Sequence, residues 1–430
     1  MNSGQVTAHA SAPPDGNVRG PLDGLRVLDL TGTMSGPFCT LLLAQLGARV
    51  DKVEPAAGDV VRHLTPGRTP AMSPIFLALN AGKRSIVLDF SQESDRELLM
   101  GSLPHYDVVV HNMRPQAAER LGLTAEKLSE VGSEALLCEL VGFGPGPYES
   151  RPAYDDTIQA ASGMAWVQGN GGEPAYVRTA VADKTAGMYA ALAICAELAS
   201  RARGGQCRTV KIPMFETMVA FATVEQLGGL TYRPATGPAL YPRTASPHRR
   251  PFPTRDGHIS LMLYTDRHWA AFLRTVGRDD LVTDPKYATL SGRTANIDDV
   301  YALVAAALRH RTTAEWLEIL NRIDVPHAPV RSFSDLLEDP HLLSAALFRE
   351  EEHPTEGAVR SVRAPFLFDG RHPSDLAPAP TLGQDSDDFR RAHQRAADGT
   401  RHQPDIDAAS LDGTGPTSAR AASTTERVTS

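Results

Sequence analysis

"GLRVLDLTGTMSGPFCTLLLAQLGARVDKVEP", residues 24–55, contains three elements in immediate succession. Leu25–Leu30 is a short, nearly unbroken apolar run with turn residues on both sides, the pattern of a strand buried on both faces. From Gly36 to Gly47 the apolar residues recur at helical spacing, with Pro37 in the first turn, where its missing N–H costs nothing. The stretch from Ala48 to Glu54 returns to a strand pattern, and Pro55 stops it. Strand, helix and strand within about thirty residues predict a βαβ unit, whose two strands pair in parallel. The first turn, "DLTGTMSGP", has Gly32 and Gly36 but lacks the three-glycine spacing of a dinucleotide fingerprint. It still delivers the chain to a helix N-terminus, where free N–H groups favour an anion or a polar ligand edge.

The same alternation continues outward. "RSIVLDF" (84–90), "YDVVVHNM" (106–113), "ALLCELVGFG" (135–144) and "CRTVKIPM" (207–214) read as strands, and "SQESDRELLMGSL" (91–103) and Asp183–Arg201 as helices. Strands alternating with helices of this length define an α/β fold with a parallel sheet. The character changes near residue 225. "GGLTYRPATGPALYPRTASPHRRPFP" (228–253) is loop-like, and then "GHISLMLY" and three helical stretches suggest a smaller α/β unit over 225–335. Residues 21–224 form the first part of the large domain, and 336–395 read as a return to it. The first twenty residues read as a flexible leader. Residues 396–430 are rich in Ser, Thr, Ala, Gly and Asp and bury too little surface to order, so a disordered tail is expected there.

Composition narrows the function. With 430 residues the chain can hold two or three cores, and 42% hydrophobic residues is normal for a globular protein. A net charge of −8 and a pI near 6.0 recommend neither nucleic acid nor an anionic membrane as a partner. The four cysteines (Cys39, Cys138, Cys195, Cys207) contain no CxxC pair and read as reduced thiols. There is no signal-type apolar segment at the start and no run of the ~20 apolar residues a spanning helix needs. A soluble, cytoplasmic protein is expected.

Six segments in order then resemble one family. They are the opening stretch from Pro21 to Arg62, "LALNAGKRSIVLDF" (77–90), "DVVVHNMRPQAAERLGL" (107–123), "GFGPGPYESRPAYDDTIQAASG" (142–163), "RGGQCRTVKIPMFETMVAF" (203–221) and "VPHAPVRSFSDLLEDPHL" (325–342). Together they resemble the family III CoA-transferases, the CaiB/BaiF family, which includes formyl-CoA transferase and α-methylacyl-CoA racemase. The resemblance implies a Rossmann-like large domain with the small α/β domain inserted, and an interlocked homodimer. It implies acyl-CoA and a small carboxylic acid as substrates, with no tightly bound cofactor and no metal.

It also places the catalytic carboxylate at Asp183, in "VRTAVADKTAGMYAA" (177–191). The chemistry suits a carboxylate. Moving CoA between two acids exchanges thioesters of similar energy, and covalent catalysis divides that exchange into nearly isoenergetic steps. Locally, the plainer reading is that Asp183 caps a helix starting at Lys184, and a carboxylate so placed stays ionised. Gly187 would then admit a close neighbour. For CoA the resemblance points to Lys83, Arg84 and Arg120 at the phosphates, to Asn112 and Met113 after a strand, and to Leu88. It also points to the first turn, Gly32, Thr33, Met34 and Ser35, and to Tyr154 and Asp155. Racemases of this family have a His–Asp pair where Tyr154 and Asp155 stand. With a pKa near ~10 a tyrosine is a poor base at neutral pH. Tyr154 reads equally as packing on the pantetheine arm or in the core, and Asp155 as an ion-pair partner of Arg151. Two departures point away from oxalate and formate: Met34 replaces a glutamine, and residues 232–256 lack a tetraglycine flap but contain His248, Arg249 and Arg250. The competing readings are an acyl-CoA racemase or epimerase and an idle CoA-ester-binding homologue.

Overall fold

A computed structural model describes residues 20–170 and 172–397; the leader before residue 20 and the tail from 398 lie outside the described residues. Six parallel strands form one sheet: β1 (Arg26–Leu30), β2 (Arg49–Glu54), β3 (Lys83–Val87), β4 (Val108–His111), β5 (Leu136–Val141) and β6 (Thr209–Pro213). Their order is 3-2-1-4-5-6, the doubly wound order of dinucleotide-binding sheets. The two strands of the quoted stretch pair in parallel, as expected, near the middle of the sheet: β1 pairs with β2 from Arg26↔Arg49 to Asp29↔Lys52, and on its other side with β4.

The helices of this part are α1 (Ser35–Gln45), α2 (Pro74–Asn80), α3 (Glu93–Ser102), α4 (Pro115–Arg120), α5 (Ala125–Glu130), α6 (Asp155–Ala161), α7 (Met164–Gly169), α8 (Val181–Arg201) and α9 (Met214–Gln226). Alternate residues of each strand feed opposite cores. Val27, Val108, Val110, Leu136 and Cys138 pack with Leu43 of α1 and Ala186, Ala190 and Ile194 of α8. Leu28, Leu30, Val109 and Leu137 pack with Leu99 of α3 and Phe389. Both faces are therefore covered, which is why these strands read as apolar runs.

Beyond α9 lies a three-stranded antiparallel sheet, β7 (Phe252–Pro253), β8 (His258–Leu261) and β9 (His327–Pro329). Its core contains Trp269, Phe272, Val304 and Trp316. A hairpin that the sequence reading did not identify follows, β10 (Phe348–His353) with β11 (Gly357–Val362). The interior of β10, Arg349 to Glu352, is charged throughout, so that strand has no apolar alternation to reveal it. A final helix, Ser386–Ala397, lies along the β3 edge. There Asp385 Oδ2 accepts from Ser85 N (3.0 Å), Ser386 Oγ accepts from Val87 N (2.9 Å), and Arg390 pairs with Asp95 (2.6 Å). Side chains thus occupy donors that an open edge would leave free.

Helix α8 starts at Val181, with Ala180 as its N-cap, so Asp183 is not the cap of a helix beginning at Lys184. It is the third helical residue. Gly187 has the role expected of it. A Cβ there would stand 2.6 Å from the Ser35 carbonyl oxygen and 3.2 Å from the Cys39 nitrogen, both on α1. The missing side chain lets α8 rest on the first turns of α1. Gly187→Ala is expected to cost about 1–3 kcal/mol, because neither backbone atom can yield without moving its helix. Urea unfolding measures this; an unchanged midpoint would mean the two helices are not held so closely.

Candidate active site

Helix α1 follows β1 and α8 precedes β6, and both lie on the same face of a parallel sheet. Each therefore runs antiparallel to the strands and begins at their carboxyl edge. The strand order reverses between β1 and β4, and the crevice outside the carboxyl ends at such a point is where open α/β sheets bind ligands. Asp183 stands one turn before Gly187 on α8, beside the start of α1 and the loop that leads into it.

Asp183 is 9% exposed, and among the described residues nothing donates a hydrogen bond to its carboxylate. Another acid satisfies the helix start. Asp155 Oδ1 accepts from Ala182 N (2.7 Å) and Asp183 N (3.0 Å), and Asp155 Oδ2 accepts from Gln159 Nε2 (2.5 Å). Gln159 Oε1 in turn accepts from Val177 N (2.9 Å), tying down the approach to α8. Asp155 is thus the remote cap of α8 and no ion-pair partner of Arg151, whose guanidinium lies over the Tyr148 ring at 3.8 Å. Burial first, then the negative charges of Asp155 and Asp156, push the Asp183 carboxyl up to about 7. The expectation that the helix start keeps Asp183 ionised is met only in part, because the helix dipole is already answered by Asp155. Tyr154 is 68% exposed at the start of α6, so the core-packing reading fails for it.

The loop after β1 is held from beneath. Asn112 Nδ2 donates to the Gly32 carbonyl (2.8 Å) and Asn112 Oδ1 accepts from Gly32 N (3.1 Å). Thr33, at φ 69°, donates its N–H to Asp59 Oδ1 (3.0 Å). Met34 is the N-cap of α1 and has no side-chain cap bond, and Ser35 is buried as its first residue. Below the loop, Lys52 Nζ reaches both the Thr31 carbonyl (2.8 Å) and Asp59 (2.9 Å). Arg62 grips Glu54 with two bonds of 2.7 and 2.8 Å. Lys52, Glu54, Asp59 and Arg62 were not singled out in the sequence; for Lys52 and Glu54 the available signal was charge inside "VDKVE" (50–54), where a buried strand should be apolar, while Asp59 and Arg62 lie beyond that stretch.

Two phosphate candidates are corrected. Lys83 is buried, and its ammonium is shared by Asp29 (3.1 Å), Thr40 (2.8 Å), Asn80 (2.9 Å) and the Pro37 carbonyl (3.0 Å). Burial draws it down to about 8, while the two lysines Lys83 and Lys52 hold Asp29 far below the usual carboxylate range against the cost of its own burial. Arg84 bonds Asp51 and Asp385, both at 3.1 Å, and pins the C-terminal segment. Asn112 uses its amide on Gly32 and so shapes the loop. Leu88 follows the end of β3; its side chain is buried and its N–H goes to the Glu54 carbonyl (3.1 Å). Met113 packs against the core under α4. Arg120 is exposed at the end of α4 and has no ion pair among the described residues, so it remains available for a phosphate. Among the described residues, no group of three or more His, Cys, Asp or Glu could hold a metal ion, and no helix is long and apolar enough to cross a membrane.

The raised Asp183 carboxyl has a thermodynamic signature. Its pKa is higher folded than unfolded, so its contribution to stability is full below about pH 4 and is lost as the pH rises through about 7. Asp183→Asn is therefore expected to stabilise the protein at pH 8, by on the order of 3 kcal/mol, and to give no gain at pH 4. Asp155→Asn keeps the backbone bonds but removes a charge, and should shrink this dependence. Urea unfolding across that pH range measures both; a gain independent of pH would contradict the assignment.

Comparison with known proteins agrees with this architecture. The chain is 31% identical to a formyl-CoA:oxalate CoA-transferase of Rhodopseudomonas palustris, over 86% of this chain and 92% of the relative. It is 30% identical to one of Bradyrhizobium diazoefficiens, over 86% and 93%. Among solved structures it superposes on a CaiB/BaiF family protein from Brucella suis with TM-score 0.75 at 27% identity, covering 87% of this chain and 100% of that one. The Mycobacterium tuberculosis protein Rv3272 gives the same TM-score and coverages at 28% identity. The profile of CoA-transferase family III matches residues 22–386, nearly everything between the two ends, and this chain belongs to that family of enzymes.

Proposed function

We propose that the enzyme moves coenzyme A from an acyl-CoA donor to a carboxylic acid acceptor through covalent intermediates on Asp183. In the first step an oxygen of the Asp183 carboxylate attacks the donor thioester carbonyl. The C–S bond breaks, CoA leaves as thiolate, and a mixed anhydride remains. The thiolate attacks the aspartyl carbonyl, which releases the donor acid as carboxylate and leaves an aspartyl-CoA thioester. An acceptor carboxylate attacks that thioester to form a second anhydride and free the thiolate again. The thiolate then takes the acceptor acyl group, and Asp183 returns as carboxylate. Each step exchanges one activated acyl for another, and no electron leaves or enters.

The observation that carries this reading is the state of Asp183: a buried carboxyl at the carboxyl edge of the sheet, unbonded by any donor among the described residues and poised near neutrality. A carboxylate with a raised pKa is a stronger nucleophile than an ordinary one and is still substantially ionised at pH 7. The first turn, held by Asn112 and Asp59, would receive the pantetheine end, and Arg120 would meet the phosphates. The relatives named formyl-CoA:oxalate CoA-transferase are about 30% identical. Met34 bears a thioether at the head of α1 in this chain, where an amide would offer hydrogen bonds, and this supports a less polar acid pair than theirs. Racemisation needs a base on each face of the α-carbon, and the exposed Tyr154 phenol is a weak candidate.

The large sheet unit, interrupted by the smaller unit at 225–335 and resumed after it, would form an interlocked pair with a second copy. Met188, Tyr189 and Leu192 on α8 and Phe221 and Val224 on α9 leave apolar side chains 41–84% exposed, a surface suited to such a partner.

Asp183→Ala is expected to keep its thermal stabilisation by CoA while exchange falls by roughly 10³-fold or more. A mass-spectrometric screen of acyl-CoA donors against acids, run with both proteins, reads this. Retained exchange in the variant would exclude Asp183 as nucleophile. Deuterium uptake at the α-carbon without acceptor acid would indicate a racemase, and CoA binding without any exchange in the unmodified protein an idle homologue.

A further inference from the structure

The segment 228–253, whose basic residues read from sequence equally as the edge of an acid pocket and as an exposed turn, directs Tyr241 and Arg243 toward the rest of the smaller unit. There they line a cleft whose other walls are mostly apolar, among them Phe252, Trp269, Val300 and Val304. Met262, Tyr264 and Leu290 form an apolar rim that is 37–52% exposed. Packed interiors normally close such space. This cleft stays open beside a charge.

Arg243 is oriented by one bond, from its Nε to the Tyr301 hydroxyl (2.9 Å), and Tyr301 is itself set against the Phe252 ring (5.9 Å). Among the described residues, neither terminal amino group of Arg243 has an acceptor and no carboxylate pairs with it. The neighbouring arginine behaves differently. Arg293 is buried and spends its guanidinium on the Tyr287 and Tyr264 carbonyls and on Asp266. The wall also contains Trp269, 1% exposed, whose indole N–H meets no acceptor among the described residues. An apolar cleft with a few polar groups is the usual form of a small-molecule site, and a planar guanidinium with both amino groups free matches a carboxylate.

We propose that this cleft binds a small carboxylic acid with an apolar, aromatic or branched body, its carboxylate on Arg243 and its body against Phe252, Val300 and Val304. The site is built entirely from residues 241–304 and needs neither Asp183 nor CoA, so it does not rest on the transferase mechanism above.

Calorimetric titration of the whole chain with phenylacetate, without CoA, tests it. Saturable binding is expected, with phenylacetamide at least about tenfold weaker, since losing a charge-assisted pair is worth roughly that factor. Arg243→Met should weaken phenylacetate by about tenfold as well. Leu290→Trp, a change at the exposed rim that leaves the core untouched, should weaken acid and amide alike. Asp183→Ala should bind as the unmodified chain does. Absence of saturable binding, equal affinity for acid and amide, or binding indifferent to Arg243→Met would overturn the proposal, whether or not the enzyme transfers CoA.

Discussion

The carboxylate of Asp155 holds the first free N–H groups of α8, and the rest of the site depends on that contact. A helix start normally offers its N–H groups and its dipole to the nearest anion. Here Asp155 takes them, although it is 28 positions earlier in the chain. Asp183 is then left in the first turn with its backbone N–H used and its side chain unbonded among the described residues, facing a like charge. A carboxyl that would have been a quiet cap becomes one that gains and loses its proton near neutrality. That cost to folding is of the kind that functional sites carry, and the proposed chemistry makes use of it.

The second requirement is a rigid floor. In the proposed reaction the loop after β1 presents backbone groups next to Asp183 without collapsing onto it. A buried ionic network beneath β1 and β2 provides this: Asp29 with Lys83, Lys52 with Asp59 and Thr31, and Glu54 with Arg62. Such networks are costly to desolvate and hold geometry more than they add stability. Gly187 completes the arrangement from above, since α8 can reach α1 only where no side chain intervenes. The two helices therefore begin side by side at the same edge of the sheet.

Much of this was legible in the sequence because it follows from local pattern. The strand runs, Pro37 in the first turn of α1, the break at Pro55 and the close approach at Gly187 follow from local chain geometry, and the structure agrees with them. Roles that depend on long-range partners were not legible. Lys83 and Arg84 look like a surface pair in "AGKRS", but only the fold shows that β3 lies beside β2 and turns one toward Asp29 and the other toward Asp51 and Asp385. Asp155 looked like a neighbour of Arg151, and nothing in the spacing reveals α8 as its true partner. The hairpin of β10 and β11 escaped because charged residues fill the interior of β10.

The most direct measurement is the chemical state of the Asp183 side chain during turnover. The protein is mixed with an acyl-CoA donor, quenched in acid within the turnover time and digested, and the peptide containing Asp183 is weighed with and without prior borohydride treatment. The account requires a fraction of that peptide to be heavier by CoA less one water, and borohydride to convert the same residue to its alcohol. Undiminished turnover with the Asp183 peptide always unmodified, or with the adduct on a different residue, would contradict it.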